Sequence, residues 1–191
     1  ITSGMLLTIT DNPLPNATVA VPSTICNGAS VSIGATAVTG NTYIWSSNVG
    51  TYSSTNSNPS VSPSSTQTYT LTETITATGC SNSNDVTITV NPRPTATLTL
   101  SPSPIGKNPI CFGEDVSLRL DVVSSGAWSL TLSDNSVASG VASRTDFTPL
   151  KPNSNTTYSI SALSDANCNS ILADLSGTVA ITVNALPVLN S

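Results

Sequence analysis

The chain has 191 residues, of which 8% are charged, with five Lys and Arg, ten Asp and Glu, and a formal net charge of −5. The basic residues occur singly, so no basic stripe is present to neutralise phosphates, which argues against nucleic-acid binding. The absence of histidine removes the commonest general base, and no apolar run approaches the roughly 20 residues of a membrane span.

The same sequence features occur twice, in the same order. Each copy has a Pro-containing linker, a Cys-x-Gly turn, a Trp, a Tyr and a second Cys. The paired members are Asn12 and Asn91, Cys26 and Cys111, Trp45 and Trp128, Tyr69 and Tyr158, and Cys80 and Cys168. A fixed period of this length is typical of tandem modules. We therefore predict a leading segment at 1–12, one domain at 13–91, a second at 92–184 and a further linker at 185–191.

Alternation of apolar and polar residues predicts the strands in chain order. After a first strand at 5–10, the first module is predicted to have strands at 17–21, 31–37, 42–46, around 61, at 68–77 and at 86–90. The second module is predicted to have them at 95–100, 116–122, around Trp128, around Phe147, at 157–163 and at 179–183, with one helical turn at 170–175. Closely spaced strands separated by Gly, Pro and Asn predict an all-β fold of two tandem immunoglobulin-like β-sandwiches.

The strand at 5–10 has no module in front of it in this sequence. It has the pattern of the last strand of each module, and an apolar strand with unpaired backbone groups is costly. We expect it to complete either an upstream module of a longer array or a neighbouring subunit by strand addition. The candidate donor side chains are Met5, Leu6, Leu7 and Ile9. Strand addition between subunits would give a head-to-tail polymer.

Two cysteines fall in each repeat at matching places, which predicts one disulfide between Cys26 and Cys80 and another between Cys111 and Cys168. Free buried thiols are the alternative. Each bridge would staple one end of its sandwich, and disulfides imply an oxidising, extracellular compartment. The sequence has no CxxC motif and no histidine, so a zinc site is not expected, and we predict no metal and no cofactor.

The aromatic residues of the repeat are predicted to pack in the cores. Trp45 and Trp128 are expected in the third strands, with sugar stacking as the alternative role. Tyr69 and Tyr158 lie near the start of the sixth strands, as in the tyrosine corner of immunoglobulin domains. Tyr52, in a Ser- and Thr-rich loop, is the better candidate for an exposed aromatic.

Two further features are structural in our interpretation. The linkers contain Pro13, Pro15, Pro92, Pro94 and Pro187, which we expect to stiffen them because proline fixes φ and favours extended backbone. Glu114 and Asp115 form an adjacent acidic pair that could be half of a calcium site. A solvated turn leading into the second strand is the alternative, which we prefer because the first module has Ala29 and Ser30 at these positions.

The order Cys-x-Gly-x-x-Val-x-Ile/Leu, Trp, Thr-Tyr-Thr-Leu, Gly-Cys-Ser and Val-Thr-Ile-Thr-Val-Asn-Pro-Arg-Pro resembles immunoglobulin-like and PKD-like tandem repeats of Bacteroidota surface proteins. These include gliding-motility proteins and adhesins exported by type IX secretion. The resemblance covers residues 13–187. The second module departs from it, with Phe112 between Cys and Gly and with Asn167 and Asn169 flanking Cys168.

The resemblance implies a structural, non-enzymatic repeat of an extracellular filament or cell-surface adhesin stalk. Its partners would be neighbouring identical subunits or modules in a head-to-tail filament or array. A carbohydrate-binding module of a secreted protein, with surface glycans as partners, is the alternative function.

Overall fold

The computed structural model describes residues 11–102, 106–141 and 150–187, together with the backbone of 144–146. The chain divides into two compact units, with the boundary between Asn91 and Pro92. The predicted donor strand with Met5, Leu6, Leu7 and Ile9, and the predicted strand at Phe147, lie outside the described residues.

Unit 1 is a sandwich of one large and one small sheet. Its strands are β1 (Ser23–Cys26), β2 (Val31–Ser32), β3 (Asn41–Ser47), β4 (Ser53–Ser54), β5 (Ser60–Val61), β6 (Gln67–Ile75) and β7 (Ser81–Asn91). The large sheet has the order β1-β7-β6-β3-β4, and β2 pairs with β5 in the small sheet. The pairings are antiparallel except that β1 runs parallel to β7. The period-2 pattern of β6 and β7 buries one face of each strand against Trp45 and Ile33.

Unit 2 is a fuller version of the same plan. Its strands are β8 (Thr95–Leu100), β9 (Ile110–Cys111), β10 (Leu118–Val123), β11 (Trp128–Leu132), β12 (Val137–Gly140), β13 (Arg144–Asp146), β14 (Thr156–Asp165), β15 (Leu175–Ser176), β16 (Thr178–Ile181) and β17 (Val183–Asn184). The sheets have the orders β13-β10-β8-β15 and β12-β11-β14-β16, and β17 pairs with β9. As in unit 1, a short early strand runs parallel to the end of the chain, because β9 pairs with β17 in parallel.

The core of unit 2 comes from alternating residues of both sheets. Every second residue of β10 and β11 is buried, and these side chains meet Tyr158, Ile160 and Ile181. The prediction of two tandem immunoglobulin-like β-sandwiches is confirmed by this architecture. In the part of the chain that the structure describes, no helix is long and apolar enough to cross a membrane.

Four predicted elements differ from the structure, the first being the strand predicted at 31–37, of which only Val31–Ser32 is a strand. The strand predicted at 17–21 is irregular, because Ala17 is buried with φ at 48° and its N–H bonds to a side chain instead of a strand. The strand predicted at 86–90 is longer, since β7 begins at Ser81. The predicted helical turn at 170–175 is a 3-10 turn at Leu172–Asp174.

Candidate functional site at the ends of the units

The chain enters unit 1 at one end of the sandwich and leaves it at the other. Near the start of the described chain, the carbonyl oxygen of Pro15 accepts a hydrogen bond from Asn82 Nδ2 at 3.0 Å, and Asn82 is the second residue of β7. The chain leaves at Asn91, the last residue of β7. Nine residues of extended strand separate the two places, which is about 30 Å. We call the first place the head end of the unit and the second its tail end.

Unit 2 has the same polarity. At its head end, Arg93 Nε donates to Asp174 Oδ2 at 2.7 Å, and Ala96 pairs with Leu175. At its tail end, the chain leaves through Asn184 at the end of β17. Between Leu175 and Asn184 the chain runs through β15, β16 and β17 towards the tail end. Tension along the polypeptide therefore passes through each sandwich along its length.

The two tail ends share one local structure built around a cysteine. Cys26 pairs with Asn91 and Cys111 pairs with Asn184, each beside the last residue of its unit's final strand. The residue after each cysteine donates its N–H to the carbonyl oxygen of that Asn at 2.9 Å in both units. A glycine follows with φ at 84° in unit 1 and 86° in unit 2, a conformation that favours glycine because it has no Cβ. This explains the Cys-x-Gly motif of both repeats.

The two head ends carry the other cysteine of each repeat, next to the turn after β6 in unit 1 and after β14 in unit 2. The carbonyl oxygen of Cys80 accepts the Ile75 N–H at 2.9 Å, and that of Cys168 accepts the Asp165 N–H at 2.9 Å. The Asp165 carboxylate also accepts the N–H of Cys168 at 2.7 Å and that of Ser125 at 3.0 Å. Burial alone would raise the pKa of Asp165, but the backbone hydrogen bonds from these residues outweigh it and lower the pKa.

The predicted disulfide within each repeat is wrong. Cys26 and Cys168 are disulfide-bonded, whereas Cys80 and Cys111 carry free thiols. The physical reason is the length of the sandwich. Cys26 lies opposite the last residue of β7 and Cys80 lies just before the first, about 35 Å apart along the strand. A disulfide requires Cα atoms within about 7 Å.

A disulfide within unit 2 is excluded for the same reason. Cys168 lies beyond Asp165, nine residues along β14 from Thr156, and Thr156 pairs with Ile181. Cys111 lies opposite Asn184, which is further still from that pairing. The two cysteines are thus at least about 30 Å apart. The matching positions in the sequence mark matching ends of the units, and not partners within one unit.

The linker prolines fall into two groups. Pro15 and Pro94, which match in the repeat, are buried at the head ends of their units, while Pro13, Pro92 and Pro187 are exposed. Next to Pro94, the Arg93 guanidinium holds the pKa of the Asp174 carboxyl below its usual range, chiefly through their hydrogen bond. Part of each linker therefore belongs to the head end of the module that follows it.

A buried carboxylate in unit 1 is missing from the sequence-based predictions. Glu73 is 3% exposed, and it accepts hydrogen bonds from the Ala17 N–H and from Asn41 Nδ2, both at 2.7 Å. It fixes the irregular segment at the head end onto β6. The signal was present in the sequence, because Glu73 continues the inward-facing series of Tyr69 and Leu71 along β6.

The structure places the predicted aromatic residues in the two cores. Trp45, Trp128, Tyr69 and Tyr158 are each at most 3% exposed, and Trp45 Nε1 donates to the Asn56 carbonyl oxygen at 3.0 Å. Burial raises the pKa of Tyr69 and of Tyr158. The Tyr52 ring meets the Tyr69 ring edge to face, with centroids 5.3 Å apart. Tyr52 is therefore half-buried and packed, and not the exposed aromatic that its loop suggested.

The acidic pair at 114–115 has local partners. Glu114 accepts the Cys111 N–H at 2.7 Å and pairs with Lys107 at 2.8 Å, while Asp115 lies 3.3 Å from Lys151 Nζ. These hydrogen bonds, first from the Cys111 backbone and then from Lys107, lower the pKa of Glu114. Within the described ranges no three metal-ligating side chains come together. The pair closes the tail-end turn of unit 2.

Comparisons with known proteins identify similar folds only. No protein-family model matches the sequence, and no curated protein matches it. A structure of three titin immunoglobulin domains matches with 10% identity and a TM-score of 0.42, over 90% of this chain and 65% of that one. Fibronectin(III)-like modules of Clostridium thermocellum CbhA match with 15% identity and a TM-score of 0.35, over 88% and 94% of the two chains. A Dscam structure matches with 10% identity and a TM-score of 0.32, over 88% and 45%.

Proposed function

We propose that the two units are structural, non-enzymatic modules of an extracellular filament or cell-surface adhesin stalk. The observation that carries this proposal is the route of the chain, which enters each sandwich at its head end and leaves at its tail end. The resemblance to Bacteroidota surface repeats supports placing the modules at a cell surface. The neighbouring partners would be further modules of the same kind, arranged head to tail.

The strand pairing suits such a load. In unit 1, β1 runs parallel to β7 over four residue pairs, from Ser23 with Ile88 to Cys26 with Asn91. Tension pulls β1 towards the head end and β7 towards the tail end, so the hydrogen bonds between them are loaded together in shear. In unit 2, β9 with β17 and β8 with β15 are parallel pairs in the same orientation. A shear load must break several hydrogen bonds at once, whereas peeling breaks them one by one.

Force spectroscopy on the chain tests this proposal. The chain is pulled from its two ends under reducing conditions, which keep disulfides out of the measurement. We expect an unfolding event for each unit, at a higher force than when unit 1 is loaded through residues 65 and 92. That second geometry peels β6 from β7, because these antiparallel strands have their outer ends side by side. Equal unfolding forces in the two geometries would contradict a load-bearing function.

Assembly by strand donation is tested separately. Residues 1–10 with Met5, Leu6, Leu7 and Ile9 lie outside the described residues, so donation stays a prediction. Deleting Ile1 to Thr10 should abolish assembly of separate chains if the strand completes a neighbouring subunit. Unchanged assembly after the deletion would leave the tandem array as the arrangement of these modules.

The alternative function, carbohydrate binding, rested on an exposed aromatic platform. Because Tyr52 packs against Tyr69 and both Trp side chains are buried, core packing explains these residues and we do not propose the alternative. Glycan-array binding that is lost in Tyr52→Phe, which keeps the ring contact, would revive it.

A further inference from the structure

The four cysteines follow one rule when each unit is considered by itself. Cys26 and Cys111 lie at the tail ends, and Cys80 and Cys168 lie at the head ends. The two disulfide-bonded cysteines are the tail cysteine of unit 1 and the head cysteine of unit 2. The two free cysteines are the head cysteine of unit 1 and the tail cysteine of unit 2.

The free cysteine at the tail of unit 2 stands in the same local structure as the bonded cysteine at the tail of unit 1. At each tail end, the residue after the cysteine donates its N–H to the Asn carbonyl oxygen at 2.9 Å. The cysteine carbonyl oxygen accepts an N–H from the third residue after it, at 2.9 Å in unit 1 and 3.0 Å in unit 2. Both turns use a glycine with positive φ. The backbone therefore presents Cys111 as it presents Cys26, and Cys26 is bonded. Cys111 is also exposed, and Cys80 is partly exposed, so both thiols are accessible.

We propose that Cys111 forms a disulfide with the head-end cysteine of the next module, and that Cys80 forms one with the tail-end cysteine of the module before. The proposed disulfides would join neighbouring modules of the array covalently, beside the Pro-containing linker. This inference rests on the proposed function, since it specifies what joins the modules. For the chain described here the matching partner is a second copy, with Cys111 of one chain joined to Cys80 of the other.

The chemistry is thiol–disulfide exchange with a small-molecule disulfide as the oxidant. The Cys111 thiolate attacks the small disulfide, which releases one small thiol and leaves a mixed disulfide on the protein. The Cys80 thiolate of the adjoining module then attacks the Cys111 sulfur and releases the second small thiol. Two protein thiols and one small disulfide thus become one protein disulfide and two small thiols, and two electrons pass to the oxidant.

The repeated linker sequence shows where two copies of the chain can be joined covalently with the native spacing between modules. Residues 184–187 of unit 2 match residues 91–94 and 12–15, with Asn first and Pro last in each. A four-module tandem can therefore be made by joining residue 184 of one copy directly to residue 13 of another. Because the tandem places Cys111 of the first copy and Cys80 of the second copy on one polypeptide, these two thiols should meet at a high effective concentration.

The experiment compares this tandem with separate chains, each oxidised with glutathione disulfide and mapped by peptide mass spectrometry. The separate chains are Cys80→Ser and Cys111→Ser, alone and mixed in equal amounts. We expect Cys111 joined to Cys80 in the tandem, or heterodimers well in excess of both homodimers in the mixture. Linkage in the mixture would identify separate copies as partners, and linkage in the tandem alone would identify modules of one polypeptide.

Two outcomes would overturn the proposal. One is the absence of a Cys111–Cys80 linkage in both the tandem and the mixture. The other combines two results. The Cys111–Cys80 linkage is absent in the tandem, and the mixture forms heterodimers and homodimers in the proportions expected when the chains meet at random. The pulling experiment is made with reduced protein, so it tests the load-bearing function independently of these disulfides. A chain that bears load but forms no Cys111–Cys80 linkage would contradict only the disulfide proposal.

Discussion

The two units use the same plan but stabilise it differently. Among the residues that the structure describes, unit 1 has a core cluster of eight buried apolar residues and a second sheet of two short strands, and a buried carboxylate closes its head end. The described part of unit 2 has a cluster of 15 buried apolar residues between two four-stranded sheets, and an ion pair closes its head end. The tail-end cysteine turns, in contrast, have the same backbone hydrogen bonds and the same positive φ at their glycines. The two cores and the two head ends thus differ, and only the tail ends share one local structure.

The largest expected effect comes from the smaller core. Trp45 is fully buried and its ring nitrogen is hydrogen-bonded to Asn56. Trp45→Ala should cost about 3–5 kcal/mol through lost burial and the cavity it leaves. Hydrogen exchange should then lose protection in β6 and β7 while β14 stays protected. The control is Val137→Ala, at a side chain that is 64% exposed. Loss of protection in both units at once would contradict separate cores.

The buried carboxylate should give the next largest effect. Glu73→Ala leaves the buried Ala17 N–H and the Asn41 amide without their acceptors. An unsatisfied buried donor costs about 1–3 kcal/mol, and the loss should appear in urea unfolding of unit 1. Amide exchange at residue 17 should accelerate, while exchange in β10 and β11 should not change. Glu73→Gln keeps one acceptor and serves as the matched variant, so an equal cost for both would argue against the hydrogen bonds as the cause.

The shared glycine turns allow a direct comparison of the two repeats. Gly28 and Gly113 have φ at 84° and 86°, where a Cβ costs about 1–2 kcal/mol. A Cβ at Gly113 would meet no neighbouring atom within 4 Å, so the cost there is purely conformational. Each substitution to Ala should destabilise its own unit in thermal unfolding, by similar amounts. Gly126 has the same open surroundings without positive φ, and Gly126→Ala should be close to neutral.

The fold could be predicted from the sequence alone, whereas the cysteine pairing could not. The alternation along β6 and the repeated Trp and Tyr were enough to predict the fold, because period-2 burial is a local property of the chain. The cysteine pairing was beyond reach, because symmetry in sequence does not say which end of a 30 Å strand each residue occupies, a length of about nine residues. The inward position of Glu73 is readable from the alternation along β6. Its partner Ala17 lies 56 residues away, in a segment whose irregular backbone no periodicity describes.

The smallest expected effect concerns the ion pair at the head of unit 2. Arg93 and Asp174 are 20% and 14% exposed at the side chain, and their charged atoms are 2.7 Å apart. Arg93→Ala should cost up to about 1 kcal/mol at neutral pH. Because folding lowers the pKa of Asp174 from an ordinary value of 3.8, the pair stabilises unit 2 above that pH. This stabilisation is lost as the pH falls through the lowered pKa of the folded state.

The difference in unfolding free energy between Arg93→Ala and the native chain should therefore be constant from pH 7 to about pH 5. It should shrink as the medium becomes more acidic than the ordinary pKa of 3.8. Urea unfolding of unit 2, followed by Trp128 fluorescence in a Trp45→Phe background, measures it. Arg119→Ala is the matched control, since its partner Asp121 is a more exposed carboxylate on β10. A cost for Arg93→Ala that does not change with pH would show that the arginine acts through packing of its carbon chain and not through its charge.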